Sequence, residues 1–278
     1  MQTSQSLQAA VWICLLLSVA GNGQTPGSQK PAPKDAQEKE GVVGRMKRSA
    51  AEYKLVLGSH RATSLSLRPE PVISWMNQVR DSGGAIFIWT AKGRPEAIAT
   101  FFTWRDGQIK HEFQSLSRSP LAAEYNGQPL WHPTRAGVEL RPVPDAPEPA
   151  ESGTQRLSQM KSLARRFSST FLGWVENDPN RDELRLLTQP LLRYDSEDPD
   201  LLDGALFAFV QGTDPETLLL LEGRRAGTRF EWQYGLAPMT AGALETRYRD
   251  KSVWTSPAWD SKVDPNRPYI QFVSPDAR

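Results

Sequence analysis

Along much of the chain, short segments rich in apolar, β-branched and aromatic residues are separated by polar segments that contain glycine or proline, a pattern that is typical of β-strands. Residues 85–90 and 97–104 are two such apolar segments on either side of AKGRPE, and a second turn, RDG, leads into residues 109–116. Glycine-bearing turns of this length connect antiparallel strands. The pattern therefore predicts a three-stranded antiparallel meander.

One stretch has the period of a helix instead. Its apolar side chains recur three or four positions apart, and its basic residues fall outside that stripe. The stripe consists of Leu157, Met160, Ala164, Phe167, Phe171 and Trp174. This spacing predicts an amphipathic helix over residues 154–174 with one buried face. A shorter run with the same period begins at Met46 and predicts helix there.

The pattern of residues 84–98, GAIFIWTAKGRPEAI, returns as GALFAFVQGTDPETL 120 positions later. Three further blocks match on either side, and the spacing between matched positions rises along the chain from 119 to 123. The last of them aligns LAAEYNGQPLW, which ends at Trp131, with LETRYRDKSVW, which ends at Trp254. Collinear matches with slowly growing offsets are what small insertions at turns produce, so we expect an internal duplication.

These patterns predict an α+β fold that is mostly antiparallel β, built as one composite domain over residues 46–278. Two pseudo-repeated β-meander halves are joined by a proline-rich linker and the amphipathic helix. The predicted boundaries are residues 63–140 for the first repeat, 141–153 for the linker, 154–174 for the helix and 184–260 for the second repeat. Each half alone would be a small sheet with exposed edges, so the halves are expected to pair as one sheet or as a sandwich.

The N-terminus predicts export. Its apolar run, LQAAVWICLLLSVA, is short for a membrane span and ends in small residues that a signal peptidase accepts. We expect residues 1–20 to be a cleaved signal peptide, with an uncleaved membrane anchor as the alternative. Residues 21–45 follow as a disordered spacer, because their first twenty residues carry no aliphatic side chain larger than alanine. The lone cysteine, Cys14, lies in the apolar run, so no disulfide is expected.

Three segments carry a resemblance to a known group of proteins. LRPEPVISWMN (residues 67–77), GAIFIWTAKGRPEAIATFF (residues 84–102) and DGALFAFVQGTDPETLLLLE (residues 203–222) are similar to segments of an uncharacterised exported family of planctomycete bacteria. The resemblance covers about residues 60–260. It implies a bacterial, exported protein, periplasmic or extracellular, and it implies no particular reaction.

Charge and motifs exclude several classes of function. Lysine and arginine total 33 against 32 acidic residues, so no net field recruits nucleic acid or an anionic surface. Phosphate-binding glycine loops and a nucleophile elbow are absent from the sequence, and no cofactor is predicted. His60, His111 and His132 are dispersed, so no metal site is expected, and His111 shares a strand face with Ile109 and Phe113, which predicts a packed ring.

Two kinds of side chain remain as candidates for function. A hydrolase would use paired carboxylates, for which Glu96, Glu112, Glu216 and Glu231 are the candidates, although proline followed by glutamate at Glu96 and Glu216 is also ordinary turn chemistry. Aromatic residues can stack on sugars or anchor a protein interface, and here Trp104 and Trp259 are the candidates. We expect a non-enzymatic exported protein that binds an envelope glycan or protein or has a structural role, with a carboxylate hydrolase as the alternative.

Overall fold

The computed structural model of the chain describes residues 34–58, 63–77, 82–103, 108–175, 181–259 and 263–274. The helices are α1 (Lys34–Ala51) and α2 (Gly153–Ala164). Up to residue 131 the strands are β1 (Tyr53–Leu57), β2 (Thr63–Ser64), β3 (Ser66–Leu67), β4 (Ile73–Asn77), β5 (Ser82–Ala91), β6 (Arg94–Thr103), β7 (Ile109–Ser115), β8 (Leu121–Tyr125) and β9 (Gln128–Trp131). The strands that follow are β10 (Arg141–Pro142), β11 (Phe167–Gly173), β12 (Asp182–Leu186), β13 (Leu192–Tyr194), β14 (Leu201–Gln211), β15 (Asp214–Ala226), β16 (Arg229–Pro238), β17 (Ala243–Tyr248), β18 (Lys251–Ser256) and β19 (Tyr269–Val273).

Within the described residues the fold is mostly antiparallel β with two helices, as the sequence predicts. The first unit, residues 34–131, contains the meander β5–β6–β7, with β3 and β4 paired to β5. A smaller sheet of β2, β1, β8 and β9 lies beside it. The predicted meander is confirmed. Strands β5 and β6 begin three residues before their predicted segments, and the ends of all three strands agree with the prediction to within one residue.

The second unit, residues 153–256, contains the meander β14–β15–β16, with β12 and β13 paired to β14. Strand β11 pairs with β12 and β17, and β17 pairs with β18. In this unit the meander and the outer strands form one continuous path of strands, whereas in the first unit they are separate sheets.

Two segments cross between the units. The connector, residues 132–149, carries β10, which pairs with β16. The tail, residues 263–274, carries β19, which returns to the first unit and pairs with β7 over five residues from Tyr269 to Val273. The third strand of each meander is thus covered by a segment from outside its unit.

The core consists of three apolar layers. Met46 and Ala50 of α1 pack with the β5 side chains Phe87 and Trp89, while α2 covers the corresponding face of the second unit. Between the two meanders lies the third layer, to which β5 and β6 contribute Ile86, Ile88 and Ile98 and the second unit contributes Leu206, Ala208, Val210, Leu218 and Leu220. Because successive strand residues point to opposite faces, each meander is buried on both sides.

The predicted helix over residues 154–174 is wrong in its second half. Helix α2 ends at Ala164, and the chain from Phe167 continues as β11, in which every second residue is buried. Phe167 and Phe171 are four positions apart, a spacing that satisfies a strand as well as a helix. The segment forms a strand because it pairs with β17 and β12. Trp174, predicted to be buried on the helix, is 60% exposed.

Other sequence boundaries also differ from the structure. Helix α1 begins at Lys34, so residues 34–45 are helical where a disordered spacer was expected. The helix ends at Ala51 and strand β1 follows from Tyr53, although the helical spacing of apolar residues had predicted helix up to Leu57. The part of the spacer before residue 34 and the signal segment lie outside the described residues. The proline-rich linker begins as the short strand β10, and Val143 within it is buried.

Glu96 and Glu216 lie within strands, not in the turns predicted for them. In both hairpins the turn is tighter than expected: Ala91 pairs with Arg94, and Gln211 pairs with Asp214. Each proline is therefore the second residue of its strand, and the register shifts at the glutamate that follows it, which is the extra residue of a β-bulge. As a result both glutamates join strand faces that look into the space between the two meanders.

Candidate functional site

Four acidic or phenolic side chains come together between the two meanders, and no cation among the described residues forms an ion pair with them. Glu112 comes from β7, Tyr269 from β19, and Asp214 and Glu216 from the start of β15. The Tyr269 hydroxyl donates to Glu112 Oε1, and the charges of Asp214 and Glu216 act on the Glu112 carboxyl. We call these four residues the acidic cluster.

Burial controls the protonation of the acidic cluster. Desolvation, together with the charge of Asp214, raises the pKa of Glu216 to about 8, and the same two causes hold the pKa of Glu112 well above its usual range. Asp214 stands at the exposed edge of the cluster, and partial desolvation raises its pKa to about 6. Like charges in a low-dielectric site cannot all ionise together, so protons are shared within the cluster at neutral pH.

The acidic cluster brings together two of the predicted carboxylates, Glu112 and Glu216. Both are at least nine-tenths buried, and Glu216 Oε2 is buried without a hydrogen-bond partner. The backbone around Glu216 is fixed as well, because Met239 N–H donates to its carbonyl at 2.8 Å. A protonated carboxylic acid is available here, as acid catalysis requires, but the side chains that hold it also separate it from solvent.

The third predicted carboxylate, Glu96, belongs to a different cluster with the opposite electrostatic balance. Arg94 lies between Glu96 and Glu222, with Nη1 at 3.0 Å from Glu96 Oε1 and Nε at 2.9 Å from Glu222 Oε1. Desolvation raises the pKa of Glu96, while the Arg94 charge opposes that rise. All three side chains are buried, and the pairing joins the first unit to the second.

Further contacts complete this arginine cluster on the side of the second unit. The Tyr194 hydroxyl donates to Glu222 Oε1 at 2.8 Å, and Arg224 Nη1 donates to Glu222 Oε2 at 3.1 Å. Arg224 then reaches Asp198 at 3.0 Å near the surface. Every oxygen of Glu222 is satisfied by a charged or hydroxyl donor, which is the condition for keeping a fully buried carboxylate. This cluster is best explained as a structural contact between the units.

The fourth predicted carboxylate, Glu231, is not drawn into either cluster. It lies on β16, half-buried, and accepts a hydrogen bond from Gln233 Nε2 at 2.9 Å. The four candidates therefore divide into one pair, Glu112 with Glu216, and two residues in separate surroundings. The sequence supplied the residue types but not this grouping.

A groove of about 570 Å³ lies where the two units, the connector and the tail meet. One wall is formed by connector residues from Arg135 to Arg141, and the other by β18 and the residues after it, from Val253 to Trp259. Its remaining lining residues are Gln114, Tyr234, Leu236, Pro238 and Pro268. Aromatic rings, prolines and a few polar groups in a concave surface are the usual composition of a binding site.

Two polar atoms at this groove are buried and have no hydrogen-bond partner among the described residues. Gln114 is fully buried, and its Nε2 donates to Ser115 O at 2.6 Å, but its Oε1 is unpaired. Trp259 Nε1 is likewise buried and unpaired. Leaving a buried donor or acceptor unsatisfied costs roughly 1–3 kcal/mol, so such atoms in a groove indicate a place where a ligand would pair with them.

The indole of Trp259 is held in place from two sides. The Arg267 guanidinium lies 4.7 Å from its ring centroid, and the Tyr269 ring packs against it at 5.8 Å. Its backbone N–H donates to Ala241 O at 2.8 Å. Trp259, which the sequence singles out as a binding residue, therefore forms a fixed, partly exposed wall of the groove. The other candidate, Trp104, lies outside the described residues.

Charge in the groove is unevenly distributed. Arg141 is paired with Glu139 at 2.8 Å, and its Nη1 also reaches Val253 O at 3.5 Å across the groove. Arg135 is exposed and takes part in no ion pair among the described residues. One cationic side chain is thus available to an anionic group of a ligand.

None of the described residues that line the groove is a histidine. His111 is fully buried, stacked on Phe101 at 3.9 Å, and its Nδ1 lies 2.6 Å from the Tyr53 hydroxyl, so the predicted packed ring is confirmed. His132 is exposed and His60 lies outside the described residues. Within the parts of the chain that the structure covers, no group of three or more His, Cys, Asp or Glu is arranged to hold a metal ion.

Comparisons of the chain with known proteins identify no relative. No family model, no curated protein and no solved structure matches the chain. Among the residues described, no helix is both long enough and apolar enough to cross a membrane.

Several groove residues were missed by the sequence reasoning. Trp254 stood out only as the counterpart of Trp131, and Gln114, between Phe113 and Ser115, carries no local signal. The arginines of the connector lie in a segment that composition marks as a surface linker. Because the groove is assembled from five separate stretches of chain, no single stretch carries its pattern.

Proposed function

We propose that this protein is a non-enzymatic binding protein of the cell envelope, and that its ligand binds in the groove between the connector and β18. The observation that supports this most directly is the pair of buried, unpartnered polar atoms at the groove, Gln114 Oε1 and Trp259 Nε1. A ligand that accepts from the indole and donates to the amide would remove both penalties. The aromatic wall of Trp254, Trp259 and Tyr234 would supply the apolar contact area.

We further propose that the chain arose by duplication and that both copies are needed to form the groove. In support, the register shift in each hairpin falls at matched positions, between Trp89 and Thr90 and between Phe209 and Val210. Leu116 N–H donates to Glu96 O at 2.8 Å, just as Met239 N–H donates to Glu216 O at 2.8 Å. The proposed repeat includes the preceding helix and strand, since β1 pairs with β8 as β11 pairs with β17.

The cellular location belongs to the same proposal. The apolar N-terminal run with its small-residue end and the resemblance to an exported planctomycete family both support secretion to the periplasm or beyond. Lys and Arg nearly balance Asp and Glu, which agrees with a protein that does not rely on an anionic surface for recruitment.

The binding function is tested by tryptophan fluorescence of the full chain, titrated with two panels of probes: envelope oligosaccharides and extended synthetic peptides. A saturable shift is expected with members of one panel, and it should be lost in both Trp254→Ala and Trp259→Ala. Trp174→Ala is the matched control, because Trp174 is 60% exposed and lies outside the groove. If no probe gives a saturable shift that depends on Trp254 and Trp259, the proposal is wrong.

A hydrolase is the second candidate, and the acidic cluster is the observation that favours it. Glu112 and Glu216 come together with raised pKa values, as an acid in a carboxylate pair requires. Their burial weighs against this candidate. Hydrolysis of the oligosaccharide and peptide probes by the full chain, lost in Glu216→Gln, would favour the enzyme, and no turnover would dismiss it.

A further inference from the structure

The groove lies between the two ends of one sheet. The strand path of the second unit begins at β10 and finishes at β18, and each of these end strands pairs with one neighbour, β16 or β17. The groove-lining residues Val253 to Ser256 belong to β18. An end strand presents unpaired backbone N–H and C=O groups along its free edge, which can pair with an added strand.

The matching place in the first unit is closed by the chain itself. There the tail passes the residues that follow β9, where His132 N–H donates to Pro265 O at 2.8 Å and Thr134 N–H donates to Asn266 O at 3.3 Å. Trp131, the counterpart of Trp254, is fully buried, and its Nε1 donates to Arg267 O at 2.8 Å. A proline-containing turn, DPNRP, thus closes this place in the first unit, and Arg267 N–H donates to Asp264 O at 3.2 Å within it.

In the second unit, the corresponding stretch of the connector does not make this contact. Gly137 N–H donates to Ser117 O at 2.8 Å, and a Cβ at Gly137 would overlap Ser115, so the connector is held against the first unit. The Arg141 side chain reaches across the groove, where its Nη1 donates to Val253 O at 3.5 Å. Trp254 is half-buried where Trp131 is fully buried.

We propose that the groove binds a proline-containing segment of a partner protein, which pairs in extended form with the outer edge of β18 and fills the place that the proline-containing tail fills in the first unit. This inference deepens the proposed binding function and rests on it, as it does on the proposed duplication. Main-chain hydrogen bonds to the edge strand would supply affinity, and the side-chain pockets would supply selectivity. The room between the walls, about 570 Å³, suits a few residues of extended chain.

The lining residues narrow the chemistry of this segment. Exposed Arg135 has no ion pair among the described residues, so an acidic side chain is expected opposite it. Trp254 and Trp259 line the groove, and proline rings pack against such side chains in aromatic-lined grooves. Gln114 Oε1 accepts from a donor of the segment, which a saccharide hydroxyl could also satisfy.

The test uses random peptides of about nine residues displayed on phage, long enough to span the six residues of β18. They are selected on the full chain and counter-selected on Thr255→Trp, which fills the groove from an exposed lining position. Lys251→Trp is the matched control, because Lys251 is exposed on the same strand but does not line the groove. Enriched peptides are then synthesised and their binding is measured by fluorescence anisotropy.

We expect enrichment of peptides that contain proline and an acidic residue. Their affinity should fall by at least about tenfold on Thr255→Trp and by several-fold on Arg135→Glu, and it should be unchanged on Lys251→Trp. Amide hydrogen exchange in β18 should slow when peptide is bound, and peptides with N-methylated backbones, which cannot pair with an edge strand, should bind poorly.

Two results would overturn the inference in distinguishable ways. If no peptide is enriched, or if bound peptides leave the exchange of β18 unchanged, while an oligosaccharide gives the Trp254-dependent fluorescence shift, the groove is a saccharide site and only the peptide inference fails. If neither peptides nor oligosaccharides bind in the groove, the inference and the proposed binding function fail together.

Discussion

Arg94 Nε donates to Glu222 Oε1 at 2.9 Å, although the two residues lie in different units and both are buried. Removing one partner of such a pair leaves the other charge buried and unpaired, which costs about 3–5 kcal/mol. We therefore expect Arg94→Met to lower the free energy of unfolding by roughly that amount. Urea denaturation of the full chain at neutral pH, followed by far-ultraviolet circular dichroism, measures the loss.

The control for Arg94→Met is an arginine in an exposed pair. Arg229 lies 3.4 Å from Glu148, and both side chains are more than two-thirds exposed at 72% and 76%. Exposed pairs are worth about 0–1 kcal/mol, so Arg229→Met should leave the midpoint almost unchanged. Equal effects of the two substitutions would show that the Arg94 pairing does not hold the units together.

The acidic cluster should make the protein more stable at pH 5 than at pH 8. The pKa of Glu216 rises from its usual 4.5 to about 8 in the folded chain. Its protonated form therefore favours the folded state below pH 4.5, and this contribution is lost as the pH rises towards 8. Each such group gives a slope of at most about 1.4 kcal/mol per pH unit, which urea denaturation at a series of pH values can measure.

Replacing Glu216 with glutamine isolates this effect, because glutamine keeps the shape of the protonated acid and does not ionise. The loss of stability between pH 5 and pH 8 should be clearly smaller in Glu216→Gln than in the natural chain. Glu124→Gln is the control, since Glu124 is exposed on β8. If Glu216→Gln has the same pH profile as the natural chain, Glu216 ionises freely and the cluster is not as described.

Aromatic rings fill the space above two glycines, and this predicts a sharp size limit. The Tyr194 ring lies against Gly204 on the paired strand, as the Trp75 ring lies against Gly84, and a Cβ at either glycine would overlap the ring. Gly204→Ala should therefore destabilise by about 1–3 kcal/mol through overpacking, measured by thermal unfolding. Gly41→Ala, in open space on α1, should be neutral or slightly stabilising.

The two matched tryptophans should respond differently to truncation. Trp131 is fully buried, so Trp131→Ala should cost about 3–5 kcal/mol of stability. Trp254 is half-buried at the groove, so Trp254→Ala should cost distinctly less in thermal unfolding while abolishing ligand binding. A large loss of stability in Trp254→Ala would place this ring in the core and remove it from the binding surface.

The strands were easier to predict from the sequence than the helix boundary. Residues 85–89 are all buried because both faces of β5 are covered, and local composition already favours a strand there. The end of α2 depends on β17, whose Leu244 pairs with Phe171 from more than seventy positions away. The spacing of apolar residues within one segment carries no information about such a distant partner. The helix was therefore predicted to continue beyond Ala164, where it ends.

In the candidate sites, too, some features follow from the local sequence and others depend on residues that are distant along the chain. That Glu96 and Glu112 are buried follows from their neighbours in apolar strands, but their different surroundings do not. Glu96 shares Arg94 with Glu222 only because the two meanders face each other, and Glu112 meets Tyr269 only because the tail returns to β7. Trp259 could be proposed from composition alone. Gln114 becomes a candidate only in the folded structure, where its Oε1 is buried without a hydrogen-bond partner among the described residues.

The return of the tail to β7 sets an order on biosynthesis. On the ribosome, β7 is made more than 150 residues before its partner Tyr269, which pairs with Gln114. Until β19 emerges, β7 lacks the strand that pairs with it and Trp131 Nε1 lacks its acceptor Arg267 O, so the first unit cannot reach its final packing. The first unit is therefore completed only after the second unit has been synthesised.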